Sequence, residues 1–226
     1  MDFYDNMTDL SKLHLFFKNK KFNRTLDIGS GCDTFITGFN SNSYFAIDRS
    51  TETLKSSPLY DRKNFNILTA DGAFLPIKSN TFDLAFSKFC LHHLIKMDGL
   101  FSEVSRILVK GGLLLLIDTI VDIEDGYYNT IAYIRTDKHI RFCRVDEIMD
   151  KTSDYFRLKY FNYYVKEYNF DKWTITSNIG ISKKDIINKL FLELPDHLKE
   201  LLQVKTENCI VKSFSDRKGI FLFENL

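Results

Sequence analysis

The chain has 226 residues, of which 44% are hydrophobic, and its formal net charge at pH 7 is +1. This length and apolar content predict a single α/β domain with elaborations and an ample core. A nearly neutral chain has no strong field to recruit nucleic acid or an anionic membrane surface. We therefore expect neither DNA binding nor membrane insertion.

The N-terminus is acidic and has no signal-peptide pattern, and no apolar stretch approaches the ~18 residues that a transmembrane helix needs. The chain has four cysteines, at Cys32, Cys90, Cys143 and Cys209. They are far apart and form no C-x-x-C pair, which suits free thiols in a reducing compartment and offers no zinc spacing. We expect a cytoplasmic protein that binds no metal.

Hydrophobic periodicity divides the first half of the chain into alternating helices and strands. A helix is predicted at residues 8–18, where Leu10, Leu13 and Phe17 have helical spacing and Thr8 stands in the cap position. The strands predicted next are 24–28, 44–48, 65–69, 82–87 and 112–118, with helical segments at 33–39, 51–56 and 98–109. Because strands that alternate with helices pair through right-handed crossovers, this half predicts a parallel sheet.

The second half of the chain is dense in tyrosine and phenylalanine. Its predicted elements are helical segments within 122–152, a strand at 155–168, helices at 182–193 and 195–204, and a hairpin formed by 208–214 and 219–224. The hairpin turn is predicted at residues 216–219, where three charged residues precede a glycine. No internal repeat or low-complexity linker separates the two halves.

The first predicted strand leads directly into a glycine-rich turn. Asp27 precedes Gly29, Ser30 and Gly31, and the next strand ends in a second acid, Asp48. Glycines let a backbone pass close to a ligand, and an acid about 20 residues further on can hold a ribose diol. Together the two features indicate a nucleoside-containing cofactor.

The residues after the glycines distinguish between two such cofactors. A dinucleotide site would have a third glycine at position 34, where this chain has Thr34, preceded by Asp33. An aspartate at that helix N-terminus would repel a pyrophosphate, although it can cap the helix and tolerates a cationic ligand. S-adenosylmethionine carries an ammonium and a sulfonium and has no phosphate. The local charges therefore favour S-adenosylmethionine and disfavour a nicotinamide oxidoreductase.

Six motifs, in order, resemble those of the class I S-adenosylmethionine-dependent methyltransferases over roughly residues 22–121. They are LDIGSG at 26–31, FAIDRS at 45–50, ADGAFLPI at 70–77, FDLAFS at 82–87, HHL at 92–94 and EVSRILVKGG at 103–112. The chain is similar to the small-molecule branch that includes the quinone-biosynthesis methyltransferases. The resemblance implies a doubly wound, mainly parallel seven-stranded sheet of the Rossmann-like methyltransferase type, with an antiparallel C-terminal hairpin and inserted lid helices.

The resemblance also implies how a single methyltransferase domain, residues 1–226, is divided. Residues 1–121 would form the cofactor-binding core with an N-terminal helix, 122–205 the substrate-lid insertions, and 206–226 the hairpin that completes the sheet. The last hundred residues match the family more loosely, so they do not identify the acceptor or the oligomeric state.

Carried over onto this chain, the resemblance implies a set of cofactor-binding residues. Asp27 would hold the ammonium of the cofactor, and the turn of Gly29, Ser30 and Gly31 would bring the backbone against its methionine part. Asp48 would accept hydrogen bonds from both ribose hydroxyls.

Three further segments would bind the adenine side of the cofactor. Arg49 would stack on the adenine, where the family usually has an apolar residue. Asp71 would accept the adenine amino group, with Gly72 and Ala73 presenting N–H groups, or would instead cap the segment that follows. The fourth predicted strand ends at the pair Ser87 and Lys88, which would make backbone contacts.

Methyl transfer needs a base only when the nucleophile must lose a proton. A neutral imidazole at His92 or His93 could take that proton, or these histidines could contact backbone or cofactor at a helix start. His139 is a third candidate base, and Arg135 and Arg141 beside it could bind an anionic substrate. The other interpretation of residues 135–141 is a loop of mutually paired charges.

The predicted function is transfer of a methyl group from S-adenosylmethionine, leaving S-adenosylhomocysteine, to an oxygen or carbon nucleophile of a small organic acceptor. In-line displacement would depend mainly on positioning and desolvation. The alternatives are a non-catalytic S-adenosylmethionine-binding module that grips a protein partner and an RNA methyltransferase, which neither charge nor motif supports. The sequence after the fourth strand lacks the signature of methyltransferases that act on nucleic-acid bases.

Overall fold

The structure is a computed structural model that describes residues 16–32, 36–94, 97–123, 125–136, 138–175, 177 and 179–226. Most of the helix predicted at 8–18 lies outside these residues, although Phe16 and Phe17 are helical. The predicted helix cap Asp33 and its neighbour Thr34 also lie outside them.

The described elements alternate as the sequence predicted. The strands are β1 (Phe22–Ile28), β2 (Ser41–Asp48), β3 (Phe65–Thr69), β4 (Phe82–Lys88), β5 (Leu108–Val121), β6 (Cys143–Arg144), β7 (Phe156–Asn169), β8 (Lys205–Glu207) and β9 (Ile210–Asn225). The helices are α1 (Thr51–Lys55), α2 (Met97–Ile107), α3 (Asp125–Arg135), α4 (Val145–Thr152), α5 (Phe170–Ile175), α6 (Ile181–Leu192) and α7 (Asp196–Leu201), with short 3-10 turns at Ile36–Gly38 and Leu91–His93.

The nine described strands form one sheet, and seven of them follow the order β3-β2-β1-β4-β5-β9-β7. The first five are parallel, and β9 runs antiparallel to both β5 and β7. The short strand β6 pairs with β5, and β8 pairs with β9 as an antiparallel C-terminal hairpin. The predicted fold class is therefore confirmed. The strand order reverses between β1 and β4, and in such sheets ligands bind in the crevice beyond the carboxyl ends of the strands.

The C-terminal hairpin turns at a different place from the one predicted. Its turn lies at Asn208 and Cys209, which have positive φ values of 51° and 59°. Strand β9 then continues without a break through residues 216–219, because it is hydrogen-bonded on both sides. A Cβ on Gly219 would lie 2.7 Å from a side-chain atom of Ile120, so packing within the sheet favours glycine there. The charged residues before it belong to a strand.

Strand β7 lies within the range 122–205 that the resemblance assigned to the substrate lid. It pairs with β9 from Phe156↔Asn225 to Asn169↔Ser213, along its whole length. That range therefore supplies an edge strand of the main sheet as well as the helices α3 to α7.

Apolar side chains fill both faces of the sheet. On one face, Leu100 of α2 and Leu114 of β5 belong to the same buried cluster. On the other face, Leu115 is buried with Phe86 of β4. Because consecutive residues of β5 are buried on opposite faces, the segment 113–117 is apolar without alternation, as is typical of a strand covered on both sides.

Candidate functional site

A cleft of about 440 Å³ opens beyond the carboxyl ends of the parallel strands; we call it the strand-end cleft. Its lining includes Gly29 after β1, Asp48 and Arg49 at the end of β2, Gly72 after β3, and Cys90 after β4. The topology explains this convergence, because parallel strands bring the residues that follow them to one edge of the sheet.

Asp48 is held by the backbone at the end of β2. Its Oδ2 accepts a hydrogen bond from the Gly31 N–H at 3.1 Å, and its Oδ1 accepts one from the Ser50 N–H at 3.0 Å. A carboxylate oxygen can accept more than one hydrogen bond, so both oxygens keep acceptor capacity. Asp48 therefore presents a fixed, partly exposed pair of acceptors to the strand-end cleft.

The two glycines of the first turn share a backbone conformation but differ in the space available for a side chain. Both have left-handed backbone, with φ of +67° at Gly29 and +58° at Gly31. A Cβ on Gly29 would lie 2.1 Å from the Cys90 Sγ, whereas a Cβ on Gly31 would meet nothing within 4 Å. The missing side chain of Gly29 therefore makes room for a cysteine of the chain itself. Between them, Ser30 donates its N–H to the Ile47 carbonyl at 3.0 Å.

Other predicted cofactor residues stand beside the cleft without belonging to its lining. Asp27 is 2% exposed at the end of β1. The Asp71 Oδ1 accepts a hydrogen bond from the Ala73 N–H at 2.9 Å, so this carboxylate closes a local turn. The Ala73 N–H, which was expected to face a ligand, therefore donates its hydrogen bond to Asp71. Their roles toward a cofactor stay predictions.

Ser87 and Lys88, at the end of β4, were predicted to make backbone contacts to the cofactor, and that role stays a prediction. The Ser87 hydroxyl donates to the Ile28 carbonyl at 3.1 Å, and the Lys88 ammonium lies 5.3 Å from the centre of the Phe89 ring. The next two residues, Phe89 and Cys90, belong to the cleft lining. Phe89 has a φ of +56°, which the sequence does not signal.

A second cavity of about 620 Å³ adjoins the strand-end cleft; we call it the histidine cavity. The two share Phe89, His93 and Lys138 in their linings. The rest of the histidine cavity is formed mainly by aromatic and charged side chains of α3, β7 and β9 together with His92 and His139. Residues far apart in the sequence thus surround one space next to the cleft.

His92 is paired with a buried acid. Its Nδ1 lies 2.6 Å from the Oδ1 of Asp118, which is 1% exposed in β5. Burial acts to raise the pKa of Asp118, but the charge and hydrogen bond of His92 and the Thr119 N–H hold that pKa below its ordinary value. Because a carboxylate can only accept, Nδ1 carries the proton, and in the neutral form of the imidazole Nε2 is then the nitrogen that can take a proton. Sequence analysis missed Asp118, although a single acid in an apolar strand is a signal.

The other two histidines lie close to His92. Their ring centres are 4.1 Å (His93) and 5.6 Å (His139) from that of His92. Burial and the neighbouring His92 lower the pKa of His93, whose Nδ1 contacts the Lys138 carbonyl at 2.7 Å. Burial, His92 and His93 lower the pKa of His139 to about 4, and its Nε2 lies 3.0 Å from the Asn129 Oδ1. His139 is therefore neutral and a poor proton acceptor near pH 7.

Two residues of the histidine-cavity lining form a buried ion pair. The Lys218 ammonium, in a residue 4% exposed, lies 2.8 Å from the Asp216 Oδ2 and also donates to the Thr119 hydroxyl. The Tyr128 hydroxyl donates to the same Asp216 oxygen at 2.9 Å. Burial and Asp216 together raise the pKa of Tyr128 well above its ordinary value, so this phenol remains protonated.

The two arginines of the polar segment 135–141 have different surroundings. Arg135 lines the histidine cavity, with its guanidinium 4.4 Å from the Trp173 ring centre and its Nε donating to the Trp173 carbonyl at 3.0 Å. Arg141 donates to the Glu147 Oε1 at 2.6 Å. Charge pairing thus applies to Arg141, whereas Arg135 belongs to the cavity.

No described helix is long and apolar enough to span a membrane. Within the described residues, no group of three or more histidine, cysteine, aspartate or glutamate side chains is arranged to hold a metal ion.

Comparisons with known proteins identify the family. A methyltransferase-domain model matches residues 26–116. The chain is 30% identical over 118 residues to the uncharacterized protein YafE of Escherichia coli (strain K12), covering 49% of this chain and 57% of that protein. It is 30% identical over 162 residues to the uncharacterized protein MJ0638 of Methanocaldococcus jannaschii, covering 69% and 70%.

A solved structure agrees over nearly the whole chain. The BH2331 protein of Bacillus halodurans C-125 superposes with a TM-score of 0.89 at 21% identity, covering 96% of this chain and 98% of that one. Fold, family model and relatives together place the chain in the class I S-adenosylmethionine-dependent methyltransferases, whose cofactor is S-adenosylmethionine.

The contact between Gly29 and Cys90 predicts unequal effects of alanine at the two glycines of the turn. Gly31→Ala should lower the free energy of unfolding by about 1 kcal/mol, because alanine tolerates left-handed backbone poorly. Gly29→Ala should cost about 1–3 kcal/mol more, because its Cβ also overpacks Cys90. Urea denaturation of both variants measures the difference, and equal losses would contradict the packing explanation.

Cys90 should resist alkylation near neutral pH. Burial, followed by the charges of Asp118, Asp48 and Asp27, raises its pKa to about 12. At pH 8 the reactive thiolate would then be only about 1 part in 10⁴, and labelling should accelerate about tenfold for each added pH unit. Mass spectrometry after iodoacetamide treatment should find the exposed Cys32 and Cys209 labelled first. Cys90 labelled as fast as Cys209 at pH 8 would contradict this electrostatic picture.

Proposed function

We propose that this chain methylates an oxygen or carbon nucleophile of a small organic acceptor and that His92 removes the nucleophile's proton. The observation that carries the proposal is the pairing of the buried Asp118 with His92, which lines a cavity that adjoins the strand-end cleft. The resemblance of the motifs to the quinone-biosynthesis branch supports a nucleophile on a ring or an enolisable compound.

The charges of the strand-end cleft fit a cationic cofactor. The thiol of Cys90 experiences the negative fields of Asp118, Asp48 and Asp27, which add to the effect of burial, whereas Arg49 is the opposing cation. Asp48 in the lining and the buried Asp27 beside it would suit an ammonium and a sulfonium better than a pyrophosphate, although the lining also contains Arg49 and Lys138. The volume of about 440 Å³ is also in the range of small-molecule sites.

Asp48 is the residue best placed to hold the ribose of the cofactor. Both of its oxygens are oriented by backbone N–H groups and retain acceptor capacity toward the cleft. Arg49 and Gly72 line the same cleft and would face the adenine side. When bound, S-adenosylmethionine supplies an electrophilic methyl group on a sulfonium that leaves as a neutral thioether.

His92 is better suited to take a proton than either neighbouring histidine. Asp118 fixes its tautomer and would stabilise the imidazolium that forms, since the two groups lie 2.6 Å apart in a buried setting. His93 has a backbone carbonyl as its partner, and His139 has an amide oxygen and a pKa of about 4. Neither of those partners carries a compensating charge.

Removal of Asp48 should weaken the cofactor site selectively. Asp48→Ala should raise the dissociation constants of S-adenosylmethionine and S-adenosylhomocysteine by about 10- to 100-fold, because hydrogen bonds to a charged group contribute about 1.5–3 kcal/mol. Isothermal titration calorimetry measures both ligands. Asp61→Ala removes an exposed carboxylate from a turn and serves as the matched control, with affinity unchanged. Equal affinities for wild type and Asp48→Ala would remove the ribose assignment.

Loss of the His92 base should slow turnover without loss of the cofactor. With a pool of phenols and enolisable acids, His92→Gln should lower the rate of S-adenosylhomocysteine formation by about 10²- to 10⁴-fold, as is typical for a general base. Asp118→Asn should also slow turnover, because an amide neither fixes the same tautomer nor stabilises the imidazolium. His197→Gln, on α7, is the control for removal of an exposed imidazole.

The outcomes separate the candidate functions. Full activity in His92→Gln would contradict the base assignment. Tight binding of S-adenosylhomocysteine without turnover of any pooled compound would favour the non-catalytic binding module. Methylation of added RNA would favour the RNA methyltransferase.

A further inference from the structure

We propose that the acceptor carries an anionic group, a carboxylate or a phosphate, and that the ammonium groups of Lys166 and Lys138 bind it. The proposal rests on the proposed function, because it names the class of substrate that the histidine cavity takes. It replaces Arg135 and Arg141 as the main candidates for binding an anion.

The lining of the histidine cavity has an excess of positive charge. Its charged residues, apart from the histidines, are Arg135, Lys138, Lys166, Lys172, Lys218, Glu167 and Asp216. Basic side chains thus outnumber acidic ones in a space enclosed partly by aromatic rings. An uncompensated excess of this kind favours anions, because the low-dielectric walls limit screening by solvent.

Neither carboxylate neutralises the lysines that give this excess. Asp216 pairs with Lys218, 2.8 Å away. Glu167 contacts Lys205 at 2.8 Å and the Ser213 hydroxyl at 2.9 Å, both outside the cavity lining.

Among the described residues, three lysines of the lining have no carboxylate as an ion-pair partner. In the part of the chain that the structure describes, Lys138, Lys166 and Lys172 form no ion pair. Arg135 differs from these lysines because its guanidinium already contacts Trp173: it lies over the ring and donates to the backbone carbonyl. The lysines are therefore the cations available to a ligand.

The Lys166 ammonium lies against two aromatic rings of the cavity. It lies 5.0 Å from the centre of the Tyr168 ring and 6.0 Å from that of Phe89. The Lys218 ammonium lies over the same two rings, at 5.4 Å and 5.1 Å. Burial and the charge of Lys218 lower the pKa of Lys166, while Asp216 acts weakly in the opposite direction. An anion placed at Lys166 would offset this repulsion.

The position of these cations connects them to the reaction site. Phe89, beneath Lys166, and Lys138 belong to the linings of both the histidine cavity and the strand-end cleft. His92 lies in the same cavity, beside the shared residue His93. An acceptor with its anionic group at the lysines would therefore have its body in the space between them and the proposed base. The aromatic lining suits a flat apolar body.

The test uses three probes with the same ring and different charges: benzoate, phenyl phosphate and neutral benzamide. Their dissociation constants are measured by NMR titration of protein saturated with S-adenosylhomocysteine. We expect benzoate or phenyl phosphate to bind at least about tenfold more tightly than benzamide, as for a charge-assisted contact, and the preferred anion identifies the group. This difference should shrink at high salt.

Variants then localise the anion site. Lys166→Gln and Lys138→Gln should each weaken anion binding about tenfold and leave benzamide binding unchanged, whereas Lys166→Arg should keep it within a few-fold. Lys63→Gln removes an exposed lysine from a distant turn and should have no effect. Equal binding of anions and benzamide, or equal losses in Lys63→Gln and Lys166→Gln, would overturn the proposal.

The affinity for S-adenosylhomocysteine separates this proposal from the proposed function. It should be the same in wild type and Lys166→Gln, because Lys166 lines the histidine cavity, whereas Lys138 also lines the strand-end cleft. If S-adenosylhomocysteine binds normally while the anions show no preference, only the anion site fails. If S-adenosylhomocysteine itself does not bind to the wild type, the proposed function is wrong, and the acceptor site that rests on it is overturned as well.

Discussion

The pairing of β9 between β5 and β7 is the constraint on which the histidine cavity depends. This register places Thr119 of β5 opposite Lys218, and Asp216 opposite Lys166 of β7. Asp118, which holds His92, is opposite Gly219, where a larger side chain would meet Ile120 and Phe221. A shift by one residue would turn these side chains to the other face of the sheet. The proposed base and the proposed anion site therefore both depend on one antiparallel alignment.

The two adjoining spaces differ in electrostatic character, although the chain as a whole is nearly neutral. The strand-end cleft has Asp48 in its lining and Asp27 beside it, together with Arg49 and Lys138, whereas lysines dominate the lining of the histidine cavity. His92, Lys218 and Asp216 belong to the lining of the histidine cavity, and the buried pairs His92–Asp118 and Lys218–Asp216 compensate their own charges. Under our proposals, a cationic cofactor would meet Asp48 and Asp27 at the strand-end cleft, and an anionic acceptor would meet the lysines of the histidine cavity.

The parts of the fold and site that the sequence predicted are those encoded locally. Strand–helix alternation located β1 to β5, and the glycine turn with Asp48 located the strand-end cleft. The turn assigned to 216–219 was wrong because a charged run ending in glycine resembles a turn, whereas partners on both sides keep β9 extended. The histidine cavity was not predictable in full, since it joins residues of α3, β5, β7 and β9 that only long-range pairing brings together.

The contact between Gly29 and Cys90 has a consequence for homologous proteins. The thiol side chain occupies the volume that a methyl group at position 29 would need. Over evolutionary time the two positions should consequently covary: a homologue with alanine in place of Gly29 should have glycine in place of Cys90 or a displaced loop after β4. Coupling between these sites would then report internal packing and carry no information about which substrate a given homologue uses.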